Sequence, residues 1–152
     1  MVPTKGRGGT AWAALVALAS ILLLAGFSTG PLFLTPVMSV RGLFLYLRLG
    51  ARESAWQELG PALQASNRPV ATVAPDGAPA TALAWTSDRA FWREAPTELR
   101  PFFRHARLSG KIEGADAYVV ARAAAPSRAV AYFTLVRVDN EWVIQRLVLE
   151  RP

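Results

Sequence analysis

Cysteine is absent from this 152-residue sequence, and histidine occurs once, at His105. A chain without cysteine forms no disulfide, no thiolate metal site and no lipid-modified cysteine. A single histidine leaves no set of imidazoles for a zinc site. The sequence also lacks a glycine-rich phosphate loop, a nucleophile elbow and an acidic metal loop. We therefore expect a protein that holds no metal or other cofactor and that is not an enzyme.

The few residues with catalytic chemistry have ordinary structural explanations. Glu94 and Glu98 are close enough in sequence to suggest a catalytic carboxylate pair. Arg93 and Arg100 lie beside them, and this pattern favours ion pairs on the surface instead. His105 stands among basic residues, where an imidazole caps the last carbonyls of a helix or faces solvent.

Acidic residues are missing from the first third of the chain. Residues 1–52 contain no acid and the following bases: Lys5, Arg7, Arg41, Arg48 and Arg52. Over the remaining residues, basic side chains nearly balance all 11 acids of the protein. No stripe of alternating basic and aromatic residues suggests a nucleic-acid groove. The charge pattern therefore predicts the lipid bilayer as a partner, through anionic headgroups, and no nucleic acid.

A long apolar run follows the first basic residues. No charged residue occurs between Gly8 and Val40, and Trp12–Phe27 is almost entirely apolar. Because about 20 apolar residues cross the hydrocarbon core as a helix, we predict a basic flank at 1–10 and a transmembrane anchor at 11–34. A helix buried in a protein core and a cleaved signal peptide are the alternatives. The apolar run continues beyond the small residues at which a signal peptide would end.

Residues 35–52 contain three arginines, at spacings that place them on one helical face: Arg41, Arg48 and Arg52. This pattern favours an interfacial segment whose arginines reach lipid headgroups. A second span over 31–49 is the alternative, and it would place Arg41 near mid-bilayer at a cost of roughly 2.5 to 3.5 kcal/mol.

Orientation follows from the flanking charges. The basic N-terminal flank favours a cytoplasmic N-terminus, whereas the three arginines at 41, 48 and 52 favour the opposite orientation. We expect a single-pass protein of the inner (cytoplasmic) membrane, with its domain on the extracytoplasmic side.

Residues 53–152 are expected to form one small α+β domain. Apolar spacing predicts a helix over 53–66 that Gly60–Pro61 can split, a hairpin or edge segment over 67–80, and helices over 87–94 and 97–107. Alternating β-prone runs predict four strands, at 108–113, 117–124, 129–138 and 142–150. The predicted fold class is an N-terminal transmembrane α-helix followed by an α+β domain in which a four-stranded antiparallel C-terminal meander packs with short helices.

The end of the chain resembles two families of small domains. Leu135–Val138, the Asp139–Asn140 turn and Trp142–Val148 form a hairpin that, together with Gly110, Gly114 and the anchor, resembles the cytochrome oxidase assembly factor family, which is related to an inner-membrane translocase subunit. This resemblance implies an assembly or accessory role in a membrane complex. The order of helices and then sheet also resembles the nuclear-transport-factor-like fold, which implies anything from a ligand pocket to a scaffold.

Arginine and aromatic residues are enriched over residues 87–107. We predict a partner-binding face made by the following side chains: Arg89, Trp92, Arg93, Arg100, Phe103 and Arg104. A solvated outer face of amphipathic helices is the simpler interpretation. The leading functional hypothesis is a membrane-anchored, non-catalytic accessory or assembly subunit of an integral membrane protein complex. The alternative is a tethered module that binds a small molecule or a lipid in an apolar pocket between sheet and helices.

Overall fold

The structure is a computed structural model that describes residues 35–64 and 68–151. The predicted basic flank at 1–10 and the predicted transmembrane anchor at 11–34 lie outside these residues. In the described part of the chain, no helix is both long enough and apolar enough to cross a membrane. These residues form a small α+β domain around a six-stranded antiparallel sheet.

Short helices precede the sheet and interrupt it once. The helical elements, in chain order, are α1 (Pro36–Leu49), α2 (Arg52–Gln57), α3 (Pro61–Gln64), α4 (Asp88–Glu98) and a 3-10 turn (Arg100–Phe102). Gly50 ends α1 in the left-handed region, with φ of 75°, a conformation that glycine adopts without steric cost. Ser87 caps α4, since its hydroxyl accepts a hydrogen bond from the Ala90 N–H at 3.1 Å.

The sheet joins a C-terminal meander to an earlier hairpin. Its strands are β1 (Val70–Val73), β2 (Pro79–Leu83), β3 (Arg107–Glu113), β4 (Asp116–Arg122), β5 (Val130–Val138) and β6 (Glu141–Glu150). Their spatial order is β1-β2-β6-β5-β4-β3. Strand β2 pairs with β6, with Leu83 opposite Leu147, and this pairing adds the β1–β2 hairpin to the meander.

The core lies between one face of the sheet and the helices. Helix α1 buries Val40 and Leu43 completely on this side. Phe44, also on α1, stacks on Phe102 with ring centroids 5.7 Å apart and meets Phe133 edge-on at 5.8 Å. Aromatic pairs of this kind add to the stabilisation that burial of their area already provides. The aromatic contacts therefore attach α1 firmly to the sheet.

A glycine on the edge strand β3 allows α1 to approach closely. A Cβ built on Gly110 would lie 2.7 Å from Cγ2 of Val37, a distance shorter than any real carbon contact of this type. Gly110 pairs with Val119, whose side chain belongs to the buried face of the sheet. Any side chain at position 110 would therefore have to displace the side chain of Val37 on the first turn of α1.

The predicted α+β class is confirmed, and the predicted meander is present as β3 to β6 within two residues at each strand end. The predicted strand count of four is too low, because the segment predicted as a hairpin or edge segment over 67–80 becomes β1 and β2 of the same sheet. Turn chemistry explains the accuracy in the meander. Gly114, Asp139 and Asn140 all have positive φ, as tight hairpin loops require.

The helices predicted at 87–94 and 97–107 differ from the structure, which contains one helix through Pro96 and then the 3-10 turn. Proline lacks the N–H that would bond within the helix. Only that bond is lost, and the Leu99 N–H still donates to the Ala95 carbonyl at 2.9 Å. A proline in the last turn therefore leaves α4 intact.

Residues 35–52 were expected to form an interfacial segment outside the domain, but the structure makes α1 a part of the domain core. Its inward face is apolar because it covers the sheet, so the pattern did not require lipid surroundings on that side. The alternative second span over 31–49 has no counterpart in the described residues, since α1 has 14 residues and is folded onto the sheet. Contact between its outward face and a membrane stays a prediction.

Candidate functional site

The outward face of α1 combines arginine with exposed leucine. Arg41 and Arg48 are exposed, and between and beside them Leu45 is 50% and Leu49 is 69% exposed. The helix contains no acidic residue. Single exposed leucines are ordinary on a soluble surface. An interfacial helix combines such groups with bases, because the apolar groups enter the headgroup boundary and the bases meet anionic headgroups.

Arg52 connects this face to the predicted partner-binding residues. Its guanidinium carbon lies 5.0 Å from the ring centroid of Trp92, within the range of a cation–π contact. Gly50 also contacts this indole, since a Cβ there would be 3.8 Å from Cη2 of Trp92. The structure therefore brings together one residue of the predicted membrane interface and one of the predicted partner-binding face.

Helix α4 presents its arginines around this contact. Arg89 and Arg93 are exposed and are spaced by four residues, so they lie on one side of the helix next to Trp92. Arg93 forms an ion pair with Glu94 at 2.7 Å, as expected from the sequence, and both side chains are well exposed. An exposed pair of this kind contributes at most about 1 kcal/mol to stability, so the arginine can change partners at little cost.

These side chains define one surface, which we call the basic surface: Arg41, Leu45, Arg48, Leu49, Arg52, Arg89, Trp92 and Arg93. The remaining predicted partner-binding residues lie at the 3-10 turn. Arg100 and Arg104 are exposed, and Phe103 is half-buried and packs against the core. Within residues 35–64 and 68–151, no hydrogen bond, ion pair or ring contact joins these three residues to the basic surface, so we treat the six predicted side chains as two groups.

The half-buried carboxyl group of Glu58 lies beside Gly42 of α1. Burial raises the pKa of Glu58 to about 7, and the charge of Glu141 adds to the rise. A Cβ on Gly42 of α1 would be 3.7 Å from Oε1 of Glu58. The backbone beside it is pinned to β6, because the Ile144 N–H donates to the Glu58 carbonyl at 3.1 Å. The carboxyl group is therefore held near α1, where it is partly shielded from water.

A second carboxyl group lines a cavity of about 240 Å³ at the junction of β2, β6 and the end of α4. Oε2 of Glu98 is inaccessible to solvent and has no hydrogen-bond partner among the described residues. Burial raises the pKa of this carboxyl group; Arg151 opposes the rise and Glu94 adds to it. Arg151 lines the same cavity without forming an ion pair with Glu98.

The remaining candidates for chemistry lie apart from one another. His105 is exposed in the loop before β3 and has a φ of 56°. Within residues 35–64 and 68–151, no group of three or more potential ligands is placed to hold a metal ion. Glu94 is held by Arg93, as described above, and Glu98 faces the cavity. The two glutamates that the sequence suggested as a carboxylate pair lie one turn apart on α4, near enough for Glu94 to raise the pKa of Glu98, but they have different surroundings.

Sequence reasoning missed four features of these sites, and three of them have no signal in the sequence. The contact of Arg52 with Trp92 and the shared cavity of Glu98 and Arg151 both join residues far apart in the chain, for which no local pattern exists. The pKa of Glu58 depends on burial that arises only when α1, α2 and β6 pack together. The fourth feature, the exposure of Leu45 and Leu49, is indicated by the sequence, because both residues follow Arg41 at helical spacing.

Comparison of the chain with protein-family models, with curated proteins and with solved structures finds no match. Function must therefore be argued from the geometry of the described residues and the composition of the chain.

Proposed function

We propose that the protein is a membrane-anchored, non-catalytic accessory or assembly subunit of an integral membrane protein complex. Residues 11–34 would be the anchor of a single-pass protein of the cytoplasmic membrane, with the domain on its extracytoplasmic side. The observation that carries this proposal is the basic surface. It starts on α1, the first helix after the apolar run, and continues through the contact of Arg52 with Trp92 onto α4.

The proposal uses the two parts of this surface differently. On α1, arginines beside exposed leucines suit the boundary between lipid headgroups and acyl chains. On α4, Trp92 with Arg89 and Arg93 has the composition of protein–protein hot spots, in which tryptophan and arginine are enriched. A domain held at the membrane surface by the first part would present the second part to the extramembrane edge of a neighbouring subunit.

Purification of the full chain in mild detergent tests this role. We expect an integral membrane protein to co-purify in fixed stoichiometry, and we expect the Trp92→Ala, Arg93→Gln double variant to lose most of it. Arg146→Gln is the matched control, because Arg146 is an exposed arginine on the other face of the sheet. A monodisperse monomer without a stoichiometric partner would count against the proposal.

A second candidate function is a tethered module that binds a small molecule or lipid. The interior between sheet and helices, where the sequence-based hypothesis placed a pocket, contains packed aromatic rings such as Trp85 and Phe91, whose centroids are 4.9 Å apart. The observation that favours this candidate is instead the cavity with Glu98 at the edge of the core. The nuclear-transport-factor-like resemblance of the sequence, which implies anything from a ligand pocket to a scaffold, is also compatible with this candidate.

A further inference from the structure

The two edge strands of the sheet, β1 and β3, differ in how open their edges are. Strand β1 has four residues and directly follows Pro69, and both short length and proline protect a sheet edge against further pairing. Strand β3 has seven residues and no proline. In the part of the chain that the structure describes, β3 pairs with β4 alone, and all of its residues except Leu108 are exposed. The outer edge of β3 is therefore available to another strand.

The charges at the two ends of β3 lie beside like charges on β4. Arg107 is directly opposite Arg122, and Glu113 is directly opposite Asp116. Like charges in directly opposite positions destabilise an antiparallel pair. Lys111 compensates part of the acidic end through its ion pair with Glu113. Strand β3 thus has a basic end and an acidic end, and an antiparallel strand of the same sequence would complement both.

We propose that β3 pairs with β3 of a second copy of this chain, in antiparallel register about a two-fold axis at Gly110. In this register Arg107 of each copy lies opposite Glu113 of the other, so each like-charge pair gains an opposite charge. The same patch is used on both copies, as in closed two-fold dimers. The inference goes beyond the accessory role and does not rest on it, because β3 contributes no residue to the basic surface.

The apolar residues of β3 fit the same register. Ile112 is 57% exposed, although Ala117, its partner on β4, is completely buried. The two-fold register places Ile112 opposite Leu108 of the second copy, and Leu108 packs against the core of its own domain. Gly110 lies opposite Gly110, so no side chains meet at the axis. Pairing would therefore remove apolar surface from water in addition to matching the charges.

Cysteine crosslinking tests the register, because the chain has no cysteine of its own. The proposal places Ser109 opposite Lys111 of the second copy, with both side chains on the face of the sheet away from α1. Full-length Ser109→Cys and Lys111→Cys chains, co-expressed with tags of different length and mildly oxidised in an uncharged maltoside detergent, should form a mixed disulfide dimer. Each variant alone should crosslink at least tenfold less. Equal positions would be diagonal neighbours about 7 to 8 Å apart, which is too far for a disulfide.

Charge exchange tests the complementarity. Glu113→Arg places arginine opposite Arg107 of the second copy and should weaken self-association of the full chain at least tenfold, as measured by sedimentation equilibrium in density-matched detergent. The double variant Arg107→Glu, Glu113→Arg exchanges the two ends and should restore association. Glu53→Arg makes the same change at an exposed position of α2, which packs on α1 and α4, and should associate as the unmodified chain does.

A mixed disulfide together with rescue by the double variant would support the proposal. A monomer at all concentrations, single variants that crosslink as well as the mixture, or unchanged association of Glu113→Arg would each overturn it. Association without the mixed disulfide would also overturn it, since the contact would then lie elsewhere in the chain. All of these readouts use the isolated chain, so the accessory role and the β3 dimer can fail separately.

Discussion

Both faces of helix α1 carry large apolar side chains, but their surroundings are opposite. On the inward face, Leu43 is completely buried and Phe44 contacts two other rings of the core. On the outward face, Leu45 and Leu49 are among the most exposed large side chains of the described residues. Hydropathy alone does not separate these positions. What separates them is whether a sheet covers them, and the arginines mark the side that no described element covers.

This comparison predicts that substitutions on the two faces act on different properties. Inward residues should determine the free energy of unfolding, since each buried leucine or phenylalanine contributes roughly 1.5 to 3 kcal/mol through burial alone. Outward residues should determine attachment to a membrane or partner and leave unfolding almost unchanged.

The largest effect is expected for Phe44→Ala. The change removes contacts with Phe102 and Phe133 and leaves a cavity, so the free energy of unfolding should fall by about 3 to 5 kcal/mol. Urea denaturation of the full chain in detergent, followed by near-UV circular dichroism, measures it. Leu45→Ala on the same helix is the control, with an expected change within about 0.5 kcal/mol. Equal effects of the two variants would abolish the distinction between the faces.

Glu58, which lies beside α1, should make the stability of the domain depend on pH. Its pKa in the folded state is about 7, above the ordinary value of 4.5, so the folded domain holds this proton more tightly than the unfolded chain. Stability should therefore rise as the pH falls from above 7 to below 4.5.

Replacing this carboxyl group tests that dependence. Glu58→Gln should stabilise the domain at pH 8 by about 2 kcal/mol, a value reduced from the full pKa difference because part of the group meets water. It should also flatten the profile between pH 5 and 7. Glu141→Gln, which removes only the weaker charge contribution, should give a smaller gain. An unchanged profile in Glu58→Gln would contradict the assignment.

A smaller loss is expected for Gly110→Ala, which tests how closely α1 lies against β3. The new methyl group would overlap Val37, so unfolding should become easier by about 1 to 3 kcal/mol. The double variant Val37→Ala, Gly110→Ala removes the overlap and should recover most of the loss. If the double variant is no more stable than Gly110→Ala, the loss does not come from this contact.

The smallest change in unfolding should follow replacement of the outward arginines. Arg41→Gln, Arg48→Gln and Arg52→Gln together should leave stability within about 1 kcal/mol, because each is exposed. In the full chain reconstituted in anionic vesicles, a lower salt concentration should nevertheless release the α1 face from the headgroups, since each base near such a surface contributes about 1 kcal/mol; a fluorophore attached at Leu49→Cys, quenched by headgroup-labelled lipid, measures this release. Arg146→Gln serves as the control. A large loss of stability in the triple variant would show that the arginines hold the fold instead.

The strands of the meander were predicted from the sequence, but the pairing of β2 with β6 was not, and both results have the same physical origin. Strands β3 to β6 follow one another in the chain, and residues such as Gly114 and Asn140 indicate the tight turns of the β3–β4 and β5–β6 hairpins. The pairing of β2 with β6 is a long-range contact, and no residue near Leu83 indicates that it lies opposite Leu147. For this reason four strands were predictable and the six-stranded sheet was not.

The candidate sites show the same division. The exposure of Arg41, Arg48 and Arg52 followed from helical spacing, and the ion pair of Arg93 with Glu94 followed from their being adjacent in the sequence. The position of Trp92 against Arg52 required the packing of α4 on the first two helices. A pattern within one helix predicts which side chains share a face, but only tertiary structure decides which faces meet.

Site-specific photocrosslinking in intact membranes tests the central claim most directly. A photoreactive amino acid at Leu49 would sit on the basic surface, and one at Val138 would sit on the face of the sheet opposite α1; both positions are exposed. We predict that the probe at Leu49 gives a discrete adduct with an integral membrane protein or with lipid, and that the probe at Val138 gives none. Adducts at Val138 alone, or a chain that does not fractionate with membranes, would contradict the account.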